Sequence, residues 1–540
     1  MPFFTNNLLL FRIYNMNKKY ISLLLLPTLL SGCSSAIKLK FVPYSTLVEE
    51  QDYMISDEGT YFKREKETSP VIYKNGTVNS LSDYLSDFKS GYKRECIESK
   101  GDRKLLVVPI SFTDSETYGN EKKQKEKTIF LQNAFFGENS HTNYYSVAGY
   151  YNASSYGQLR ITGEVAPWYQ SIYSSYEIES MSPPYMTKSS MIVSQAIDFL
   201  KKTMDLSEYD TDNDGEIDGV YAIYDHPYDE NDNKDIFWAY THYTYENEMP
   251  GLNTTAPFLN GYSWTSIDAV VQKDNRSNTN YLIHETGHLL GLTDYYNTKY
   301  IAGQDDHHYQ PTGCFDMMDY NIGDHSSFSK YLFKWSSPMV VKNNIQETIK
   351  LHPFTTSGEY LLIPSTKYNN SPFSEYLLIE YFAPNGLNKF TGAYSYTDIN
   401  GKEGIYRYPQ FYGLRIYHVN AKLGYYIKGL TAKCICPIDD ENWESKIGTN
   451  TVYLDYAYSN TIEDSKVDSQ PVLIHLLESS GKNTFKDGIP ANNDTLFRTG
   501  DDFGITKFTD FTFSDGSKPN FKLKVKELST RDITIEISTK

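Results

Sequence analysis

The sequence predicts an α+β protein in two compact parts, and three observations carry that expectation. Helix-like and strand-like runs alternate between residues 105 and 340. Beyond residue 341 there are only strand-length apolar runs split by Gly, Asn, Asp and Pro turns. At 540 residues the chain is also longer than one ordinary core accommodates.

The N-terminal stretch MNKKYISLLLLPTLLSGC has two lysines, a mainly apolar run from Ile21 to Leu30, then small residues ending at Cys33. This is the three-part layout of a secretory signal, too short to span a bilayer as a mature helix. Leu30-Ser31-Gly32-Cys33 also resembles a bacterial lipobox. Residues 1–33 are therefore expected to be a lipoprotein signal peptide, with Cys33 diacylated as the first mature residue. Met16 stands where such signals begin, which leaves the start codon open between Met1 and Met16. Acyl chains on one cysteine hold a protein at a membrane without a spanning helix. The expected location is outside the cytoplasm, lipid-anchored to a bacterial envelope or released from it.

Residues 34–103 are polar, rich in Tyr and Ser, and carry the charged patch KREKE. They read as a tether or pro-segment. LLVVPISF (105–112) opens a domain expected to cover 104–340. EKKQKEKTIFLQNAFF and TKSSMIVSQAIDFLKKTM have helical spacing, and QLRITGEV and DGVYAIYD read as strands. In the second helix Met191, Ala196, Ile197 and Leu200 share one side, with Ser189 or Ser190 as its cap. From 341 to 540, EYLLIPS, EYLLIEYF, GLRIYHV, TVYLDYAY, VLIHLLE, FKLKVKEL and DITIEIS predict an all-β, sandwich-type domain. Phe521, Leu523 and Val525, then Ile533, Ile535 and Ile537, alternate as in a sheet with one wet face.

Charge narrows the partners. A formal net charge of -17 argues against nucleic acid as a partner, since phosphate binding needs a basic surface. The 5 cysteines form neither a zinc ribbon nor a dense disulfide framework. The 48 tyrosines have no assigned role at this level.

HETGHLLGLTDYY (284–296) carries the chemistry. On a helix capped by Asn278 or Thr279, His284 and His288 stand one turn apart on one face, where two imidazoles can share a tetrahedral Zn2+. Leu282 with Leu289, and Ile283 with Leu290, root the opposite side in a core. Glu285 follows the first histidine and suits a general base for zinc-bound water. Gly291 can end the helix in a left-handed turn. Asp294 falls six residues after His288, the position of the third ligand in HExxHxxGxxH. His307, His308 and His325 compete for that role. No glutamate occurs between Glu285 and Glu347, which disfavours a glutamate ligand from a later helix.

These features resemble the metzincins, so the first domain is expected to be a zincin/metzincin-like catalytic domain. Within GCFDMMDYN, Met318 fits the methionine turn beneath the metal, with Met317 as its neighbour. Tyr320 lies where some metzincins place a tyrosine against zinc or the oxyanion; a core tyrosine fits as well. The resemblance is closer to the M6 metallopeptidases, the immune inhibitor A group. It extends through YYNASSYGQLRITGEVAPWY, DLSEYDTDNDGEIDGV, FDMMDYN, EYLLIEYF, GLRIYHV and LFRTGDDFG in order. It implies an endopeptidase acting on proteins or peptides, with His284, His288 and Asp294 on zinc and Glu285 as catalytic base.

A second motif, YDTDNDGEIDGV, sets Asp210, Asp212, Asp214 and Asp218 at positions 1, 3, 5 and 9 of an EF-hand-like loop, with Glu216 offering its carbonyl. Tyr221 replaces the closing glutamate, so a structural Ca2+ is expected rather than a sensor site. Cys96 can be a pro-segment thiolate that blocks zinc, while Cys434-x-Cys436 is too close for a relaxed disulfide. His418 reads as a satisfied strand histidine. The expected protein is thus a monomeric zinc endopeptidase. The alternatives are a catalytically idle surface adhesin or scaffold on the same fold, and a zinc hydrolase of non-peptide amides or esters.

Overall fold

The computed structural model describes most of residues 96–539. Outside it lie 228–235, 245–250, 272–276, 298–308, 320–321, 398–402, 406–411, 428–451, 462–470 and a few single or paired positions; ahead of residue 96 it describes three short strands at 53–55, 61–63 and 72–74.

Gly101–Ser111 (β1) shows why its sequence is a continuous apolar run. Leu105 and Val107 enter one core while Leu106, Val108 and Ile110 enter another, so both faces of the strand are covered. Around it stand Leu159–Val165 (β2), Val220–Tyr224 (β3), Tyr240–Tyr243 (β4) and Gly261–Ser266 (β5), in the order β2-β1-β3-β5-β4. All pairs are parallel except β4, which runs antiparallel along β5 at the edge.

Glu121–Phe136 (α1), Val147–Ser154 (α2) and Asn280–Leu289 (α4) contribute to the first core, and Tyr185–Leu200 (α3) to the second. The run expected for α1 is matched residue for residue. The cap expected for α3 is not found: that helix starts at Tyr185, and Ser189 and Ser190 lie inside it. Both hydroxyls reach the Tyr262 hydroxyl, at 2.6 and 3.0 Å, so a partner across the core has taken the atoms that would have capped the backbone. Ile192, Val193, Ala196, Ile197 and Leu200 form its buried face, and Met191 only flanks it.

After the helix Ser327–Leu332 (α5) come Met339–Val341 (β6), Gln346–Leu351 (β7), Tyr360–Pro364 (β8), Glu375–Phe382 (β9), Gly413–Asn420 (β10), Ile474–Leu477 (β11), Asp502–Phe503 (β12), Phe521–Leu528 (β13) and Ile533–Thr539 (β14). One sheet has the order β11-β10-β9-β8-β6, with Ile72–Lys74 pairing along β6; the other is β7-β14-β13-β12. The second sheet keeps the alternation read from sequence, with Phe521, Leu523 and Val525 buried and the intervening lysines exposed.

The first of these sheets behaves differently. Every residue of β9 is buried. Leu377, Ile379 and Tyr381 pack toward β13 and β14, while Tyr376, Leu378 and Phe382 join the core beneath α4. The packing is therefore continuous across residues 340 and 341, where a boundary between two parts was expected, and β6 straddles that position.

The order extends ahead of residue 104, where the first domain was expected to begin. Cys96 and Ile97 are buried, and both amides donate to the Leu289 carbonyl, at 2.8 and 3.0 Å. The last carbonyls of a helix lack intrahelical donors, and this segment supplies two for α4. No described helix is long and apolar enough to cross a membrane. Cys33, Cys434 and Cys436 lie outside the described residues.

Candidate metal centre

Leu282, Ile283, Leu289 and Leu290 are all buried and anchor α4 as its spacing predicts. Three tyrosines hold it by its own carbonyls. Tyr151 donates to Ile283 O at 2.7 Å and Tyr243 to His288 O at 2.5 Å, and Tyr221 donates to Leu282 O. Part of the unexplained tyrosine content thus serves this helix. The helix ends in a Schellman arrangement: Leu292 N donates to Gly287 O at 2.9 Å and Gly291 N to His288 O at 2.8 Å. Gly291 has φ of 98°, which a side chain would strain. That turn brings the chain back over the helix face.

Asp294 is what it brings back. His284 Nε2 lies 3.1 Å, and His288 Nε2 3.2 Å, from the same Asp294 Oδ1. Each opposite ring nitrogen meets a carbonyl: His284 Nδ1 is 2.9 Å from Met317 O and His288 Nδ1 is 2.8 Å from Leu292 O. A carbonyl only accepts, so both Nδ1 atoms carry protons and both Nε2 atoms are turned inward to Asp294, the atoms a metal would take once their protons leave. Three donors held about 2.0 Å from a tetrahedral ion stand roughly 3.3 Å apart. The Nε2–Oδ1 spacings fit that figure, and two imidazoles with a carboxylate are a zinc donor set.

Electrostatics fit the same reading. Burial works to lower both histidines, but the Asp294 carboxylate outweighs it and raises them, His288 to about 9. Burial would raise Asp294, yet the two imidazoles hold it well below the usual carboxylate range. The cluster thus concentrates positive charge around one carboxylate, a charge that a divalent cation replaces with release of protons.

Glu285 is buried, and it offers an oxygen within 4.8 Å of donor atoms of His284 and His288. Its Oε2 accepts from Thr241 Oγ1 at 2.7 Å. Beneath the helix, Met317 and Met318 are both buried. Met317 orients His284 through its carbonyl, and Met318 O accepts from Tyr295 N at 2.8 Å, next to Asp294. Asn460 Nδ2 donates to Tyr295 O at 2.7 Å and braces the same residue.

His325 does not join this cluster. It is fully buried among Tyr150, Tyr151, Phe333 and Trp335, and neither ring nitrogen has a hydrogen-bond partner among the described residues. His307, His308 and Tyr320 lie outside the described residues. His418 bonds Glu375 at 2.9 Å, as expected of a satisfied strand histidine. The Cys96 sulfur lies against Gly261, and among the described residues no metal-capable group contains a cysteine.

The acidic loop gathers Asp210, Asp212 and Asp218 within 4.8 Å of one another. Asp214 stays outside that group and accepts from Glu216 N at 2.9 Å, while the Glu216 side chain accepts from Asn260. Asp210 Oδ1 is buried without a hydrogen-bond partner. Burial, and then the Asp212 charge, push the Asp218 carboxyl up to about 6 against the hydrogen bonds from Thr211. An orphaned oxygen in an all-oxygen set suits a hard cation. Tyr221, in place of a closing glutamate, is buried and turned to α4 instead.

Sequence reasoning missed Thr241, the Met317 and Leu292 carbonyls, and Asn460. Backbone carbonyls leave no mark on composition, and Thr241 lies 44 residues from the glutamate it touches.

Residues 94–320 match the family model described as immune inhibitor A peptidase M6, catalytic domain. No curated protein matches the chain. The matched segment spans β1 to β5, α1 to α4 and the Met317–Met318 turn, so this part of the chain is similar to a peptidase catalytic domain.

Proposed function

We propose that this chain, whose residues 94–320 match the M6 peptidase catalytic domain, is a zinc-dependent endopeptidase acting on proteins outside the cytoplasm. The observation that carries the reading is the convergence of His284 Nε2 and His288 Nε2 on one Asp294 oxygen, with Glu285 beside them. His284, His288 and Asp294 hold the ion. The mixed sheet with antiparallel β4 at its edge, α4 beneath it and a methionine turn below supports a zincin-like, metzincin-type domain. The two sheets built from β6 to β14 support a β-sandwich behind it.

Zinc, when bound, supplies Lewis acidity that makes a water acidic near neutral pH and polarises the scissile carbonyl. Glu285 takes a proton from that water as its oxygen adds to the carbonyl carbon. It returns the proton to the amide nitrogen as the C–N bond breaks, giving a free carboxylate and a free amine. No side chain forms a covalent intermediate. The acidic loop at Asp210, Asp212 and Asp218 is read as a structural Ca2+ site, and Cys33 as the lipid attachment point.

Zinc content and digestion of a broad protein substrate, measured for wild type and Glu285→Ala, test the reading. Expected is a zinc-loaded wild type that hydrolyses, and a variant that keeps zinc and loses about 10²–10⁴-fold in rate. A folded, zinc-loaded wild type without hydrolysis would favour the scaffold instead. Mass spectrometry of the mature N-terminus tests the lipid at Cys33.

A further inference from the structure

Glu285 has two carboxylate oxygens, and the fold treats them differently. Oε2 accepts from Thr241 Oγ1 at 2.7 Å. Oε1 makes no hydrogen bond among the described residues. Thr241 sits on the edge strand β4 directly opposite Ser263 on β5, which is itself opposite Tyr221 on β3. The Thr241 and Ser263 hydroxyls are 2.8 Å apart, and Ser263 is fully buried.

Donor bookkeeping fixes the direction of this row. An ionised carboxylate only accepts, so the single Thr241 hydroxyl proton goes to Glu285. Ser263 must then donate to Thr241. Being β-branched, Thr241 is stiff at χ1, so the donor is held in place before any substrate arrives.

We infer that Thr241, backed by Ser263, is a positioning residue for Glu285: it fixes Oε2 and leaves Oε1 to carry the proton between water and amine. The inference rests on the general-base reading above. A carboxylate beside a divalent cation is drawn to it, and carboxylates are competent zinc ligands. The Thr241 bond would resist that swing and leave the carboxylate free to work on the water.

The test compares Thr241→Val and Thr241→Ser with wild type and Glu285→Ala in the full chain, by kcat, KM and zinc affinity. Thr241→Val should lose roughly 10–100-fold in kcat, as small misplacements of catalytic groups do, with KM changed by less than about threefold. Its zinc affinity should be unchanged or tighter, because the freed carboxylate can join the ion. Thr241→Ser should restore most of the rate.

If Thr241→Val does not fold, Thr241→Ser with Ser263→Ala carries the test. Ser263→Ala should lower kcat less than loss of the Thr241 hydroxyl does, and a serine at 241, freer at χ1, should make that loss larger. Unchanged kcat in Thr241→Val, zinc affinity falling in step with kcat, or no effect of Ser263→Ala in either background overturns the inference. A fully active Glu285→Ala would instead sink the general-base reading beneath it.

Discussion

The Met318 sulfur occupies the space that a side chain on Gly287 would need: a Cβ built there overlaps Sδ and lies 3.1 Å from Cε. Gly287 stands between Glu285 and His288, so the methionine turn reaches the one smooth patch on the helix that carries the site. In an ordinary helix Gly→Ala gains roughly 1 kcal/mol. Here Met318 is fully buried and has little room to retreat. Gly287→Ala is expected to be destabilising by about 1–3 kcal/mol, the usual cost of overpacking, and to weaken zinc binding. Adding Met318→Ala should recover part of that loss, which urea titrations of the two single variants and the double variant would reveal.

The third ligand separates Asp294 from His325. Asp294→Ala should weaken zinc binding by at least the roughly 10–100-fold that loss of an outer-shell partner costs. His325→Phe should keep stoichiometric zinc. It should also change the pH dependence of stability, because burial holds His325 well below its ordinary value. Below about pH 6.5 the unfolded chain binds a proton that the native imidazole refuses, so wild type loses stability as pH falls. Removing the imidazole removes that loss, and an apolar ring there leaves no unpaired nitrogen. Melting of both proteins from pH 7 to pH 4 should show a shallower decline for the variant. Zinc lost with His325→Phe and kept with Asp294→Ala would reverse the assignment.

Much of this was legible in residue order. The strand runs of β8 to β10, α1 and the rooted face of α4 follow from local periodicity, which neighbouring residues carry by themselves. The i,i+4 histidines and the glycine turn returning to Asp294 lie within one short stretch, so their geometry is local too. What the sequence hid is long-range. The continuous burial of β9 reads equally as an inner sandwich strand, and only the packing shows its second face beneath α4. Ser189 and Ser190 have the chemistry of caps, but Tyr262, 73 and 72 residues away, had claimed them.

The acidic loop gives a metal-specific prediction. Three carboxylates gathered without a cation repel one another, and the Asp212 charge adds to burial in raising Asp218. Millimolar Ca2+ should raise the melting temperature of wild type, by the mass-action stabilisation a native-state ligand provides. Asp212→Asn should melt alike with and without Ca2+, while keeping its zinc. Equal melting of wild type in Ca2+ and in a calcium chelator would remove the loop from the list of metal sites.

Arg415 ties the second half of the chain to the candidate metal centre. Its guanidinium is buried on β10, paired with Glu380 of β9, and stacked 4.8 Å from the Phe315 ring centroid. Glu380 Oε2 accepts from Ser327 N at 2.8 Å, and Asp316, pushed up to about 6 by burial, accepts from Met318 N at 2.9 Å and Ser326 N at 3.0 Å. Two carboxylates thus hold the backbone at Met318 and at Ser326–Ser327: Glu380, paired with Arg415, and Asp316, whose rise through burial the same guanidinium partly offsets. Arg415→Leu leaves Glu380 buried and unpaired, a change that typically costs about 3–5 kcal/mol. Because Met317 O, next to Met318, orients His284, zinc affinity should fall together with stability. Calorimetry with and without zinc separates the two effects: the stabilisation by zinc should be smaller in Arg415→Leu than in wild type, and an equal increment would show that β9 and β10 support the fold without holding the site.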